Sequence, residues 1–264
     1  MRKASAGTAA KRTATRPGRA DAGYVLGMRA LAVVAAVLAA LWAGYALAFP
    51  DYAHRFRLTV EVDTPDGVRS GSSVIDVEQK DYGWIAPQDR YGFSVRGEGV
   101  FLDLGSGRNL VAVLAHGENA EDVDRIVTLW VEAYGHKRWD DDVWSGRKDL
   151  RGAVELKPPL VPTLVTFADP LDHSTVRVVR PDEFETVFGP GFRFRRATLE
   201  VVPTGWWPAS ALGLAPGAPV TRGVIERRLP WLVGMTTNLA GTRIAFTNDL
   251  RERLTPLEFT RQDP

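Results

Sequence analysis

Twenty consecutive residues without a charge, 30 to 49, constrain this chain more than any other stretch of it. At 1.5 Å per residue, a helix of that length covers roughly the 30 Å hydrocarbon core of a bilayer. Eight of the twenty are Leu, Val or Phe, and together these favour insertion by about 2 to 5 kcal/mol at most. Nine are alanines, which makes the span a weak one. Trp42, Tyr45 and Phe49 gather at one end and Arg29 closes the other, as expected for amphipathic rings at one interface and a cation at the opposite one. Residues 30–49 are therefore expected to form a transmembrane helix in contact with the lipid bilayer. A buried core helix is the weaker alternative, because such a helix rarely runs this long beside a basic head.

The charge distribution supports the same division. The formal net charge is only +1, yet residues 1–29 hold seven Lys or Arg and one Asp. That leaves 26 basic and 31 acidic residues on the rest of the chain, a net −5. The positive-inside bias places residues 1–29 in the cytoplasm and residues 50–264 outside it, giving a single-pass protein of the cytoplasmic (inner) membrane with its body in the periplasm. The sequence Ala46-Leu47-Ala48 also offers a small-residue cleavage site, so a secreted periplasmic protein with a cleaved signal peptide is the rival. A head of 29 residues and an apolar run beyond the usual 7–15 or so favour an uncleaved signal anchor. The head is rich in Ala, Thr, Gly and Arg, lacks apolar periodicity and reads as a disordered tail. Six of its seven basic residues are scattered over positions 1–19 with no aromatic among them, so no nucleic-acid partner is expected.

The chain has no cysteine, which suits a body that avoids free thiols in an oxidising compartment. The 215 residues after Phe49 are enough to bury about 70% of their unfolded surface without disulfides.

Beyond the apolar run the pattern switches to period two. Phe56, Leu58, Val60 and Val62 alternate with polar residues, Pro65-Asp66-Gly67 supplies a turn, and residues 72–78 return, a β-hairpin. Further strands are expected at residues 91–95, 99–104, 109–115, 164–167, 176–179 and 257–260. Between Phe192 and Val202 the alternation changes phase near Arg195-Arg196, the signature of a β-bulge. One strong helix is expected over residues 120–134, where Val123, Ile126, Val127, Trp130, Val131 and Tyr134 form one apolar stripe. Asn119 and Asp122 have capping-box spacing and Gly135 supplies a stop. A short helix is expected over residues 181–188 with Pro181 at its first position; residues 139–152 read equally as loop or short helix. Residues 203–219 are a proline-rich loop, and residues 222–229 form a basic amphiphilic stretch. The fold class is α+β, strand-rich and mostly antiparallel, with two or three short helices in the body and one transmembrane helix before it.

Several phrases occur together: Ser72-Ser73-Val74-Ile75, Arg96-Gly97-Glu98, LVTFADP at 164–170, PDEFETVFGPG at 181–191 and PVTRGVIERRLPWL at 219–232. With these, residues 54–232 resemble a family of uncharacterised bacterial proteins that carry a single N-terminal membrane segment. The resemblance implies an anchored envelope protein and brings no activity, cofactor or catalytic residue with it.

Chemistry-bearing residues do not assemble into a recognised motif. Asp169, Asp172 and His173 lie within five positions and could hold a divalent ion, but an Asp-Pro-x-Asp-His turn is explained more simply by side chains bonding turn backbone. Asp140-Asp141-Asp142 lacks the spacers and glycine of a calcium loop. A serine nucleophile among Ser70, Ser72 and Ser73 would need one of four histidines as base; His54 and His136 each have a structural reading. Glu98 could act as an acid or base but has no located partner. Gly105-Ser106-Gly107-Arg108 reads as a hairpin turn before a phosphate cradle. Trp206-Trp207 is either a contact pair or part of a small core, and Trp231 reads as core. No catalytic, cofactor-binding or metal residues are assigned and no cofactor is expected. The expectation is a membrane-anchored, non-enzymatic interaction or accessory module with an envelope protein as partner. A metal-dependent or carboxylate-based envelope hydrolase is the alternative.

Overall fold

The computed structural model describes residues 19–48, 52–82, 88, 91–205, 212–214, 216–236 and 254–262. The chain divides into two compact units, residues 1–50 and 51–264.

The first unit contains helix α1, Arg19–Ala48, thirty residues long, which takes in most of the charge-free run. Side chains are described there only for residues 28, 29 and 31–45. Among the described residues no helix is long and apolar enough to cross a membrane.

The second unit is built on two sheets in which every pairing is antiparallel. Strands β1 (Tyr52–Thr64), β2 (Gly67–Asp81), β3 (Tyr91–Glu98), β6 (Ala153–Leu156), β9 (Arg193–Val202) and β10 (Thr260–Gln262) form a six-stranded sheet in the order β10-β3-β2-β1-β9-β6. Strands β4 (Val100–Gly105), β5 (Arg108–His116), β7 (Pro162–Phe167) and β8 (Val176–Val178) form a four-stranded sheet in that order. The helices of the body are α2 (Arg125–Ala133), α3 (Asp141–Trp144), α4 (Phe184–Phe188), α5 (Val224–Arg228) and α6 (Trp231–Thr236). The α+β, largely antiparallel class is thus observed, with five short helices among the described residues where two or three were expected.

Alternation explains the first layer. Phe56, Leu58, Val60 and Val62 of β1 are fully buried, and Ile75 and Val77 of β2 and Val95 of β3 join them against Val100, Leu102, Leu110, Ala112 and Leu114 of the second sheet. Helix α2 adds Ile126, Leu129 and Trp130 to the same core. Strand β5 is apolar without alternation because both of its faces are covered. Leu110, Ala112 and Leu114 enter the core between the sheets, while Val111, Val113 and Ala115 meet a second cluster with Phe167, Val176, Ile225, Leu229, Leu232 and Phe259. The four-stranded sheet is therefore a middle layer, with the C-terminal segments covering its far side.

The chain passes from one sheet to the other through Gly99, between β3 and β4. A Cβ there would lie 2.4 Å from the carbonyl oxygen of Ala112, so only glycine lets the corner close on β5. Across the outer face of the large sheet, Asp76 is 2% exposed and accepts from Arg55 and Arg96 on the flanking strands, each at 2.9 Å. The expected bulge is present: β1 and β9 keep register through Glu61↔Arg196 and resume at Val62↔Phe194, leaving Arg195 as the extra residue.

Several expectations need correction. Helix α2 begins at Arg125, five residues late, and the Asn119/Asp122 capping box does not form. Asp122 instead exchanges both backbone hydrogen bonds with His116 and accepts from the Arg125 N–H at 3.0 Å, while Glu121 accepts from the N–H groups of Glu118 and Asn119. A strand partner and an acidic side chain already satisfy this segment, so helix has no advantage there. Helix α4 starts at Phe184 and leaves Pro181 outside. Within residues 139–152 only Asp141–Trp144 is helical, as α3 capped by Asp140, and the rest is turn and loop. The last strand sits later than expected, after a single 3-10 turn at Pro256–Glu258.

Candidate functional site

Each candidate acid is held by nearby backbone. Glu98, at the end of β3, is 1% exposed. Its carboxylate accepts from the backbone N–H groups of Gly223, Val224 and Ile225, the last two at 2.9 and 3.0 Å, and so anchors the start of α5 across the sheet corner. The Ser73 hydroxyl donates to the Glu98 carbonyl at 2.5 Å. With both oxygens accepting inside the protein, this carboxylate is a buried cap and is not free for acid–base work.

Asp169 accepts from the Leu171 N–H at 2.9 Å and Asp172 from the Ser174 N–H at 2.8 Å. The Ser174 hydrogen bonds pull the Asp172 carboxyl below its usual range. The His173 ring packs edge-on against Trp231 at 5.7 Å. Among the described residues no group of three or more His, Cys, Asp or Glu side chains could hold a metal ion. Asp140 caps α3 and pairs with Lys148 at 2.8 Å, and that pairing leads the causes that hold its carboxyl low. His136 stands 3.5 Å from the same carboxylate. Ser70 and Ser72 are exposed on β2 and Ser73 is buried, with no histidine among the hydrogen-bond partners described for them. Gly105–Arg108 is a two-residue hairpin turn, with Ser106 at φ 53° and Gly107 at φ 78°, as primed turns require. Trp206 and Trp207 lie outside the described residues. Trp231 is partly buried against the second cluster, its indole N–H donating to the Pro170 carbonyl at 3.0 Å.

Three features were not singled out from the sequence. The first is an aromatic cluster joining β1, β3, α2 and α3. His54 stacks on Trp130 at 3.9 Å, Trp144 meets both edge-on, and Trp139 stacks on Trp144 at 5.9 Å. The His54 Nε2 lies 2.9 Å from the Trp144 carbonyl, and burial pushes the imidazole below its ordinary pKa. Tryptophans at positions 130, 139 and 144 were visible, but no periodicity ties a loop residue to a helix face.

The second is His116, at the end of β5 and 1% exposed. Neither ring nitrogen has a well-formed hydrogen bond, although the Leu160 backbone lies close enough to favour the proton slightly. Burial first, and then Arg125, push the imidazole down to about 3, against the opposing pull of Asp122. The ring is therefore neutral at physiological pH.

The third is a pair of clefts on the four-stranded sheet. One, of about 370 Å³, lies along β7 and β8 between the cis-linked Pro158-Pro159 and Pro181, with Thr163 and Leu164 among its lining residues and Arg180 and Glu118 at its edge. The other, of about 400 Å³, lies between the β4–β5 turn, the ends of β7 and β8, and α4. Both fall in the size range of small-molecule and peptide side-chain sites. No family model, curated protein or solved structure matches this chain.

Proposed function

We propose that this protein is a membrane-anchored envelope module that binds a partner and performs no catalysis of its own. The observation that carries the reading is the order of the chain: a head with seven basic residues, then a charge-free run of twenty, then a body with net negative charge. Residues 30–49 anchor the chain in the cytoplasmic membrane, residues 1–29 stay inside, and the body works outside. The resemblance of residues 54–232 to uncharacterised single-anchor bacterial proteins supports the same arrangement.

The binding reading is favoured over the hydrolase reading by what Glu98, Asp169 and Asp172 do: each spends its carboxylate on backbone N–H groups of its own fold. Of the two clefts, the one of about 370 Å³, walled by prolines and rimmed by Arg180 and Glu118, suits a partner's apolar side chain better than a reaction. Membrane extraction and cross-linking test the proposal together. The intact chain should remain with the membrane pellet at alkaline pH, and in-cell cross-linking from the cleft rim should recover one reproducible protein partner. Release into the supernatant would sink the anchor, and cross-linking without a reproducible partner would sink the binding role.

A further inference from the structure

We infer that the 400 Å³ cleft between the β4–β5 turn, the ends of β7 and β8, and α4 is a binding site for a small organic phosphate, held between Arg108 and Arg177. The inference is independent of where the body sits in the cell.

Strand register places the two arginines together. Thr166 pairs with Arg177, and the β5–β7 register of Val111↔Val165 and Ala112↔Leu164 carries on to set Arg108 opposite Ala168. Ala168 is two residues from Thr166, so Arg108, Thr166 and Arg177 share one face of the sheet, with β7 between the arginines. Two strand spacings across the sheet and a two-residue offset along it separate them, about 12 Å at the backbone, which two long side chains can close onto one headgroup. Both arginines are exposed and both line the cleft.

Neither arginine has a carboxylate partner among the described residues. Most arginines of the large sheet are different: Arg55, Arg57, Arg96, Arg195 and Arg196 all hold an Asp or Glu. Acids close by in the fold are engaged elsewhere: Asp169 and Asp172 accept from the N–H groups of Leu171 and Ser174, and Asp103 on β4 accepts from the N–H of Gly105. The Arg108 guanidinium is held 5.2 Å over the Phe192 ring, which limits its freedom before any ligand arrives.

The rest of the lining narrows the ligand. The hydroxyls of Thr166 and Thr175 already donate to the carbonyls of Asn109, at 2.6 Å, and Asp172, at 2.7 Å. Among the charged side chains that line the cleft, the two guanidiniums are left to recognise an anion. A carboxylate brings two oxygens and a single charge, whereas a phosphate monoester offers three acceptor oxygens and up to two charges, the closer match to a guanidinium on each side. Val187 and Phe188 of α4 supply an apolar wall for the carbon skeleton.

The test is calorimetric titration of the full chain in neutral detergent with phenyl phosphate and, separately, benzoate. Binding of phenyl phosphate tighter than benzoate is expected. Arg108→Gln and Arg177→Gln should each weaken it by about tenfold or more. Arg227→Gln on α5, which removes the same charge from an exposed site outside the cleft, should leave it unchanged. Nanodiscs containing phosphatidic acid or phosphatidylcholine distinguish a lipid headgroup from a soluble source of the same phosphate: arginine-dependent binding in either arm supports the site. No binding in both arms overturns the proposal, as does binding that survives the double arginine variant, equal weakening by Arg227→Gln, or benzoate binding as tightly as phenyl phosphate.

Discussion

At the scale of single residues, this protein places several ionisable groups where water cannot reach them and then treats them in opposite ways. Glu98 and Asp76 keep partners: three backbone N–H groups for one and two guanidiniums for the other. His116 keeps almost none, and the fold accommodates it only in the neutral form. Its folded pKa, about 3, lies below the ordinary 6.5, so the unfolded chain takes up a proton that the folded chain refuses. The resulting stability is complete above about pH 6.5 and is lost as the pH falls from there toward 3, at up to about 1.4 kcal/mol per unit. His54, also lowered, acts in the same direction. His116→Leu removes the titrating group and no well-formed hydrogen bond. Urea unfolding of this variant should show a weaker dependence on pH between 6 and 4 than the parent, by about 1 kcal/mol per unit. Parallel profiles for variant and parent would show that His116 carries no such linkage.

At the scale of elements, strands with one wet face were legible and strands with two dry faces were only half legible. The alternation of residues 56–62 named the buried set of β1 correctly, and a phase change in residues 192–202 located the bulge at Arg195. The run at 109–115 identified β5 as a strand, but its lack of alternation, the mark of a middle layer, emerged only with Ile225, Leu229 and Phe259 in place on its far face. Helix α2 shows the opposite limit: its apolar stripe was clear, yet its start depended on a bridge between His116 and Asp122 that no local pattern encodes. The clefts were beyond reach for a similar reason, since Arg108 and Arg177 come to line one cleft only through the pairing of three strands. Gly99 joins these elements at the sheet corner, and it offers a direct check. Gly99→Ala would put a methyl 2.4 Å from a backbone oxygen of β5, which cannot rotate away as a side chain would. A loss of about 3 kcal/mol or more is expected in denaturant unfolding. A loss below about 0.5 kcal/mol, the level of an ordinary surface substitution, would mean that the corner is looser than this geometry.

At the scale of the whole molecule, the small net charge is a sum over two parts with opposite character, and the proposed membrane topology separates them. A head with seven Lys or Arg left inside agrees with the direction in which basic residues beside a span bias insertion. The absence of cysteine, consistent with export, also makes the topology directly measurable. Single cysteines at Ser5 in the head and at Asp66, exposed at the tip of the β1–β2 hairpin, meet no competing thiol anywhere in the chain. A membrane-impermeant maleimide applied to cells with a permeabilised outer barrier should label Asp66→Cys and spare Ser5→Cys until the inner membrane is lysed. Labelling of Ser5→Cys alone would invert the topology. Labelling of both before lysis would mean that residues 30–49 do not span the membrane. An uncleaved anchor further requires that the Ser5 label, once admitted, migrate with the full 29.0 kDa chain. If that label ran as a short fragment and the Asp66 label on a shortened body, the chain would be cut after Ala48 and the body released as a secreted protein.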